Sequence, residues 1–158
     1  MTEQEMRKGG GGKLSRSETV TVRLDPKLRY LAELAARLHR RTLSSYVEWA
    51  IEASLGSSLL TSDPHEKSIK GDSEYLWDVD DADRFAKLAL RYPQLLTHEE
   101  QVRWKFIREA YPLWGDGSPF AEDNAELNVG RLRRNWTYIL EALAAGKSAG
   151  MVTLLLKD

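Results

Sequence analysis

Cysteine is absent from the 158 residues, so the chain has no disulfide framework, no thiolate zinc site and no cysteine nucleophile. Histidine is scarce: His39, His65 and His98 are scattered, and none stands at a metal-ligand spacing from another. Long apolar runs are missing too. No stretch approaches the roughly 18 consecutive apolar residues of a membrane span, and the opening MTEQEMRKGGGG lacks the apolar segment of a secretory signal, so a cytoplasmic location with no membrane partner is expected. Motifs of phosphate and calcium chemistry fail on inspection. Gly146-Lys147-Ser148 resembles the end of a phosphate-binding loop, but that loop needs glycine where Glu141 stands. The run Asp78, Asp80, Asp81 and Asp83 has Ala82 at a ligand position of a calcium loop and no glycine after it, so helix capping explains it better. No catalytic residue, metal site or cofactor is expected, and an enzyme is the least favoured reading.

What the chain does have is an uneven distribution of charge. The formal net charge is −1, yet the first 44 residues carry +5 and the remainder −6. A basic N-terminal part joined to an acidic remainder suits a nucleic-acid-binding module with an appended domain. Hydrophobic residues make up 42%, enough for packed cores in one ordinary domain or two small ones.

Residues 1–17 are polar, contain the run Gly9 to Gly12, and read as a flexible basic arm. From Ser17 to Asp25 the residues alternate as in a strand, with Val20, Val22 and Leu24 on one face and Thr19, Thr21 and Arg23 on the other. Asp25 offers an N-cap oxygen and Pro26 suits the first helical position. The helix that follows carries Leu28, Leu31, Ala35 and Leu38 at helical spacing. A basic break, His39 to Arg41, stops it, and Thr42 caps a second helix striped with Tyr46, Val47, Ala50, Ile51 and Leu55. One short strand has two unpaired edges and little to cover its apolar face. A dimer resolves both difficulties, because two strands pair antiparallel and four helices close over Val20, Val22 and Leu24.

The order of the strand TVTVRL, the Asp-Pro helix start and the segment TLSSYVEWAI resembles the ribbon-helix-helix family of MetJ, Arc and CopG-type repressors over residues 17–55, about a quarter of the chain. One departure is visible: many members place glycine between the two helices, where this chain has His39, Arg40 and Arg41. The resemblance implies an intertwined homodimer whose paired strands enter the major groove of double-stranded DNA. By that resemblance Thr19, Thr21 and Arg23 contact bases, arginine donating to guanine and threonine offering a hydroxyl and a methyl. It also implies that Thr42, Leu43 and Ser44, at the start of the second helix, hold a phosphate. Lys13 and Arg16, just before the strand, are placed to follow the sugar-phosphate backbone or simply to solubilise the arm.

The DNA-binding domain is thus expected over 18–60. Residues 61–74 (TSDPHEKSIKGDSE) hold one isolated apolar residue, Ile69, and read as a linker. Residues 75–158 hold eleven of the fourteen aromatic residues and read as a self-folding α-helical domain for assembly or a protein partner. Its first helix is capped by Asp80 or Asp81, with Phe85, Leu88, Ala89 and Tyr92 inward, and ends at Pro93. Its second opens on the capping box Thr97/Glu100, with Val102, Phe106 and Ile107 inward. Its third carries Val129, Leu132, Trp136, Ile139, Leu140 and Leu143. The basic run Arg131 to Trp136 reads better as an ion-paired helix face than as a second DNA contact.

The expected fold class is therefore mainly α, a ribbon-helix-helix dimerisation unit followed by a small helical domain. The expected function is that of a bacterial-type transcriptional repressor. Two rivals use the same DNA chemistry: an antitoxin that autoregulates its operon, and an accessory protein organising plasmid or mobile-element DNA.

Overall fold

The computed structural model describes residues 19–60, 67–117 and 125–151. Its architecture is mainly α, with six α-helices among the described residues, and the chain divides into two compact units, Met1–Trp49 and Ala50–Asp158.

In the first unit, helix α1 (Pro26–Leu38) starts where the sequence places it. The Asp25 carboxylate accepts hydrogen bonds from the backbone N–H groups of Lys27 and Leu28, both at 3.1 Å, and Pro26 occupies the first turn, where its missing N–H costs nothing. The helix ends in a pair of reversed hydrogen bonds, Arg41 N–H to Ala36 O at 2.8 Å and Arg40 N–H to Arg37 O at 3.0 Å. This termination requires a left-handed residue. Arg40 supplies it with φ +52°, so the chain keeps the turn geometry that glycine would favour without using glycine. Helix α2 (Leu43–Ser57) begins at once, with Thr42 Oγ1 accepting from Ser45 N–H at 3.2 Å. Its last turn is closed by serine hydroxyls, Ser57 and Ser58 both donating to Ser54 O.

The strand expected before α1 is not formed within this chain. Residues 19–24 belong to no helix or strand, and no strand ladder occurs among the described residues. The physical reason is the one the sequence poses: a lone strand segment finds no second strand to hydrogen-bond with among the described residues. Its apolar members stay in solvent, Val20 80% and Val22 62% exposed.

The second unit has a conventional core. Helix α4 (Asp81–Arg91) is capped by Asp80, whose carboxylate accepts from the N–H groups of Ala82 and Asp83. Helix α5 (His98–Glu109) opens on the complete Thr97/Glu100 capping box. Helix α6 (Val129–Ala144) is capped by Asn128 and ends at Gly146 in the same reversed hydrogen-bond pair seen after α1. Phe85, Ala86 and Ala89 of α4 pack with Phe106 and Ile107 of α5, Leu132, Ile139 and Ala142 of α6, and Leu113 from the loop after α5. Trp136 and Leu143 pack against this core from its edge. Val102 is a correction to the expected pattern, being 48% exposed. The inward stripe of α5 runs through Arg103, Phe106, Ile107 and Ala110, and Val102 falls about 100° away from Arg103 on a 3.6-residue helix.

Residues 61–66 of the expected linker lie outside the described residues. From Lys67 on, that segment is built into the second unit. Leu59 and Ser68 form an isolated bridge, Leu60 N–H donates to Lys67 O and Ile69 N–H to Ser58 O. Helix α3 (Ser73–Leu76) follows. Just before it, Asp72 is 3% exposed and accepts from Lys67 Nζ at 2.9 Å and from the Tyr92 hydroxyl at 2.7 Å, with Arg91 Nη1 at 3.4 Å. These partners, the Lys67 hydrogen bond first, hold the Asp72 carboxyl below the usual range; the same contact raises the Tyr92 hydroxyl above its own.

Candidate nucleic-acid interface

Thr19, Thr21 and Arg23, the residues expected to read bases, are all exposed and lie immediately ahead of the Asp25 cap. The cap fixes where the helix starts, so Arg23 stands two residues before a point set by side-chain chemistry. Lys13 and Arg16 lie outside the described residues.

The expected phosphate site sits at the start of α2. Thr42 and Ser44 are exposed and Leu43 is half-buried. The first α-helical hydrogen bond runs from Tyr46 N–H to Thr42 O at 2.9 Å. The N–H groups of Leu43 and Ser44 therefore precede the intrahelical ladder and stand at the positive end of the helix dipole. Thr42 has its oxygen engaged by Ser45 N–H, so it holds the first turn, and its hydroxyl also carries a hydrogen to donate.

Reading by residue type alone understates the turn between the helices, which the sequence presents only as a basic break. Three aromatic rings organise it: His39 lies 5.0 Å from the Trp49 ring and 5.9 Å from the Tyr46 ring, and Tyr46 and Trp49 are 5.7 Å apart. The Arg41 guanidinium lies over Trp49 at 5.8 Å. Arg40 and Arg41 thus directly precede the Thr42 cap in the chain, with the Arg41 guanidinium held over Trp49. The clue in the sequence was the adjacency of Arg40-Arg41 to the Thr42 cap.

Several basic residues of the second unit are committed to carboxylates or carbonyls. Arg133 pairs with Asp83, with Asp80 at 3.8 Å, and the Asp83 contact raises its pKa. Arg131 is only 6% exposed and donates to Pro112 O and Gly115 O, bracing the loop between α5 and α6. The expected ion-paired face is what Arg133 makes, while Arg131 is an internal brace. The four clustered aspartates are similarly occupied. Asp78 pairs with Lys87 at 2.8 Å, chiefly through a hydrogen bond that lowers its pKa, Asp80 caps α4, Asp81 pairs with Arg84, and Asp83 holds Arg133. No group of three His, Asp or Glu side chains placed to hold a metal ion occurs among the described residues. No helix among them is long and apolar enough to cross a membrane.

Compared with known proteins, the chain matches no protein-family model, and neither a curated protein nor a solved structure matches it.

Proposed function

We propose that the chain is a site-specific DNA-binding transcriptional regulator, a repressor, that works as a ribbon-helix-helix homodimer and reads the major groove with two copies of residues Thr19 to Leu24. The observation that carries this reading is the first unit's uncovered apolar surface. Ala36 is the one buried residue in α1 and α2 has none, while Leu28, Leu31, Leu34 and Leu38 join Val20 and Val22 in solvent. Covering those six side chains stabilises the unit by on the order of 5–10 kcal/mol per chain, at about 1.5–3 kcal/mol for each fully buried aliphatic side chain. Two chains together gain on the order of 10–20 kcal/mol, against roughly 4–15 kcal/mol lost to association entropy, so the balance of the two ranges favours pairing. A second copy supplies both the missing strand and the cover, since a two-fold axis brings Val20 and Val22 of each chain onto the helices of both.

In the dimer, Thr19, Thr21 and Arg23 stand outward twice. Arg23 donates to guanine O6 and N7, and the threonines meet base edges through hydroxyl and methyl. The α2 N-termini, with Arg40 and Arg41 just before them in the chain, clamp phosphates on either side of the ribbon. The acidic second unit is repelled by the DNA backbone and serves assembly of neighbouring dimers or a protein partner.

The test is equilibrium sedimentation combined with binding to a selected library of DNA fragments. The expected result is a dimer throughout the folded concentration range and a selected, two-fold symmetric site. A folded monomer that sediments without self-association overturns the proposal.

A further inference from the structure

Helices α4, α5 and α6 leave between them a groove of about 550 Å³ within the second unit. Its floor is apolar, made by Phe85, Leu88, Trp136 and Leu140, and its charged rim consists of Asp81, Arg84, Glu100 and Arg103. That volume falls in the range of small-molecule sites, roughly 300–1,000 Å³, and the combination of an apolar floor with a few polar groups is the usual character of such sites.

Three of the four rim charges are already satisfied. Arg84 donates to Asp78 O at 2.8 Å, pairs with Asp81 and lies 4.9 Å from the Trp77 ring. Glu100 accepts from Thr97 N–H at 2.8 Å in the capping box. Arg103 differs. Its guanidinium lies 5.2 Å from the Phe85 ring and 5.2 Å from the Trp136 ring, which are themselves 5.4 Å apart. It makes no hydrogen bond or ion pair with a described residue, and its Nε is buried without an acceptor. It also occupies a position of the inward stripe of α5 that an apolar residue would fill if packing were the sole requirement. Holding a cation there costs desolvation that two ring faces offset only in part.

We infer that this groove is a binding site for a small aromatic carboxylate, whose ring lies on the Phe85, Trp136 and Leu140 floor and whose carboxylate takes a forked hydrogen bond from the outer nitrogens of Arg103. Both rings lie to one side of the guanidinium, since each is about as far from it as they are from each other. The guanidinium's edge is left for a planar anion, the geometry in which arginine surpasses lysine. The inference rests on the second unit alone and stands whatever the first unit binds.

The experiment uses the full chain and three probes, benzoate, phenylacetate and indole-3-acetate, with indole-3-acetamide as the neutral counterpart. Binding is read by calorimetry and by the side-chain N–H resonance of Trp136, assigned through Trp136→Phe. At least one acid is expected to shift that resonance saturably, and indole-3-acetate to bind at least tenfold more tightly than its amide. Arg103→Gln should abolish the preference for acid over amide, and Arg103→Lys should retain only part of it, with far-ultraviolet circular dichroism confirming the fold. The comparison of acid with amide on the unaltered chain needs no variant. Equal binding of acid and amide, a preference that survives Arg103→Gln in a folded protein, or a Trp136 resonance unmoved by all three acids overturns the inference.

Discussion

Two helices of this protein end in the same pair of reversed hydrogen bonds, one with Arg40 at the left-handed position and the other with Gly146, at φ +52° and +69°. Exchanging the residue type at each should move stability in opposite directions. An L-residue in the left-handed region is strained by about 1–2 kcal/mol. Glycine removes that strain but enlarges the entropy of the unfolded chain by about 0.5–1 kcal/mol, so Arg40→Gly should stabilise the first unit by about 0.5–1 kcal/mol per chain. In a dimer that unfolds in one step the gain doubles. For Gly146→Ala, the added methyl would meet nothing within 4 Å, so no packing gain or clash obscures the backbone cost. The second unit should lose about 1 kcal/mol, a fall in midpoint of about 4 °C for a unit of this size. Thermal and urea unfolding at fixed protein concentration measure both, with unchanged urea slopes showing that the denatured state is unaltered. Arg40→Asn should fall between arginine and glycine, since asparagine visits the left-handed region more readily. If Arg40→Gly destabilises the protein while Gly146→Ala behaves as expected, the strain assigned to Arg40 is absent and its side chain is contributing instead.

Three further outcomes are expected. Arg23→Ala should cost about 1–3 kcal/mol per lost forked base contact and flatten sequence preference, whereas Lys13→Ala or Arg16→Ala should weaken all DNA alike and reduce the salt slope by about 1; binding assays on operator and random DNA across salt distinguish the two. Ile139 is fully buried, so Ile139→Ala should cost the second unit about 2–5 kcal/mol in urea titrations, against about 0.5 kcal/mol or less for the exposed Val102→Ala. Asp72, with its carboxyl lowered by Lys67 and then Tyr92, contributes stability above the unfolded carboxylate value of about 3.9 and loses it as pH falls through the lower folded value. The melting midpoint of the wild-type chain should therefore drop more steeply below about pH 4 than that of Asp72→Asn, and equal slopes would place the stabilisation elsewhere.

The helix starts were legible because caps are local chemistry. Asp25-Pro26, Thr42, Asp80 and Thr97 with Glu100 each satisfy backbone donors within three residues of themselves, so their sequence neighbourhood is their structural neighbourhood. Spacing likewise revealed most of the α6 stripe, with Leu132 and Ile139 at its centre. It misplaced Val102, because an arginine in the true stripe of α5 broke the apolar pattern and moved the apparent face by one residue. The same arginine, Arg103, was invisible as a groove residue because its neighbours Phe85 and Trp136 come from helices 18 and 33 positions away in sequence. Arg40 was noted as a departure from glycine, but the hydrogen bonds that demand a left-handed residue appear only with the backbone in hand. The Thr19 to Leu24 segment marks a different boundary. Its alternation is a statement about a surface, and on the proposed function the surface it would meet is that of a second copy of the chain.

Asp72 also bears on where the chain can be divided. A polar stretch between two helical regions invites cutting at Tyr75, at the end of the TSDPHEKSIKGDSE segment. A fragment starting there would leave the Tyr92 hydroxyl buried without its carboxylate acceptor, and would leave behind Leu60, a buried apolar residue whose carbonyl accepts from Gln94. Lys70, with its N–H bonded to Leu55 O and its Nζ to Glu52, carries the second unit's own hydrogen bonding back into the last turns of α2. The seam that recombination or a protease would find least damaging is therefore not the most polar stretch of the sequence. A transplantable version of the second unit begins inside a helix, with the final turns of α2 as its first element.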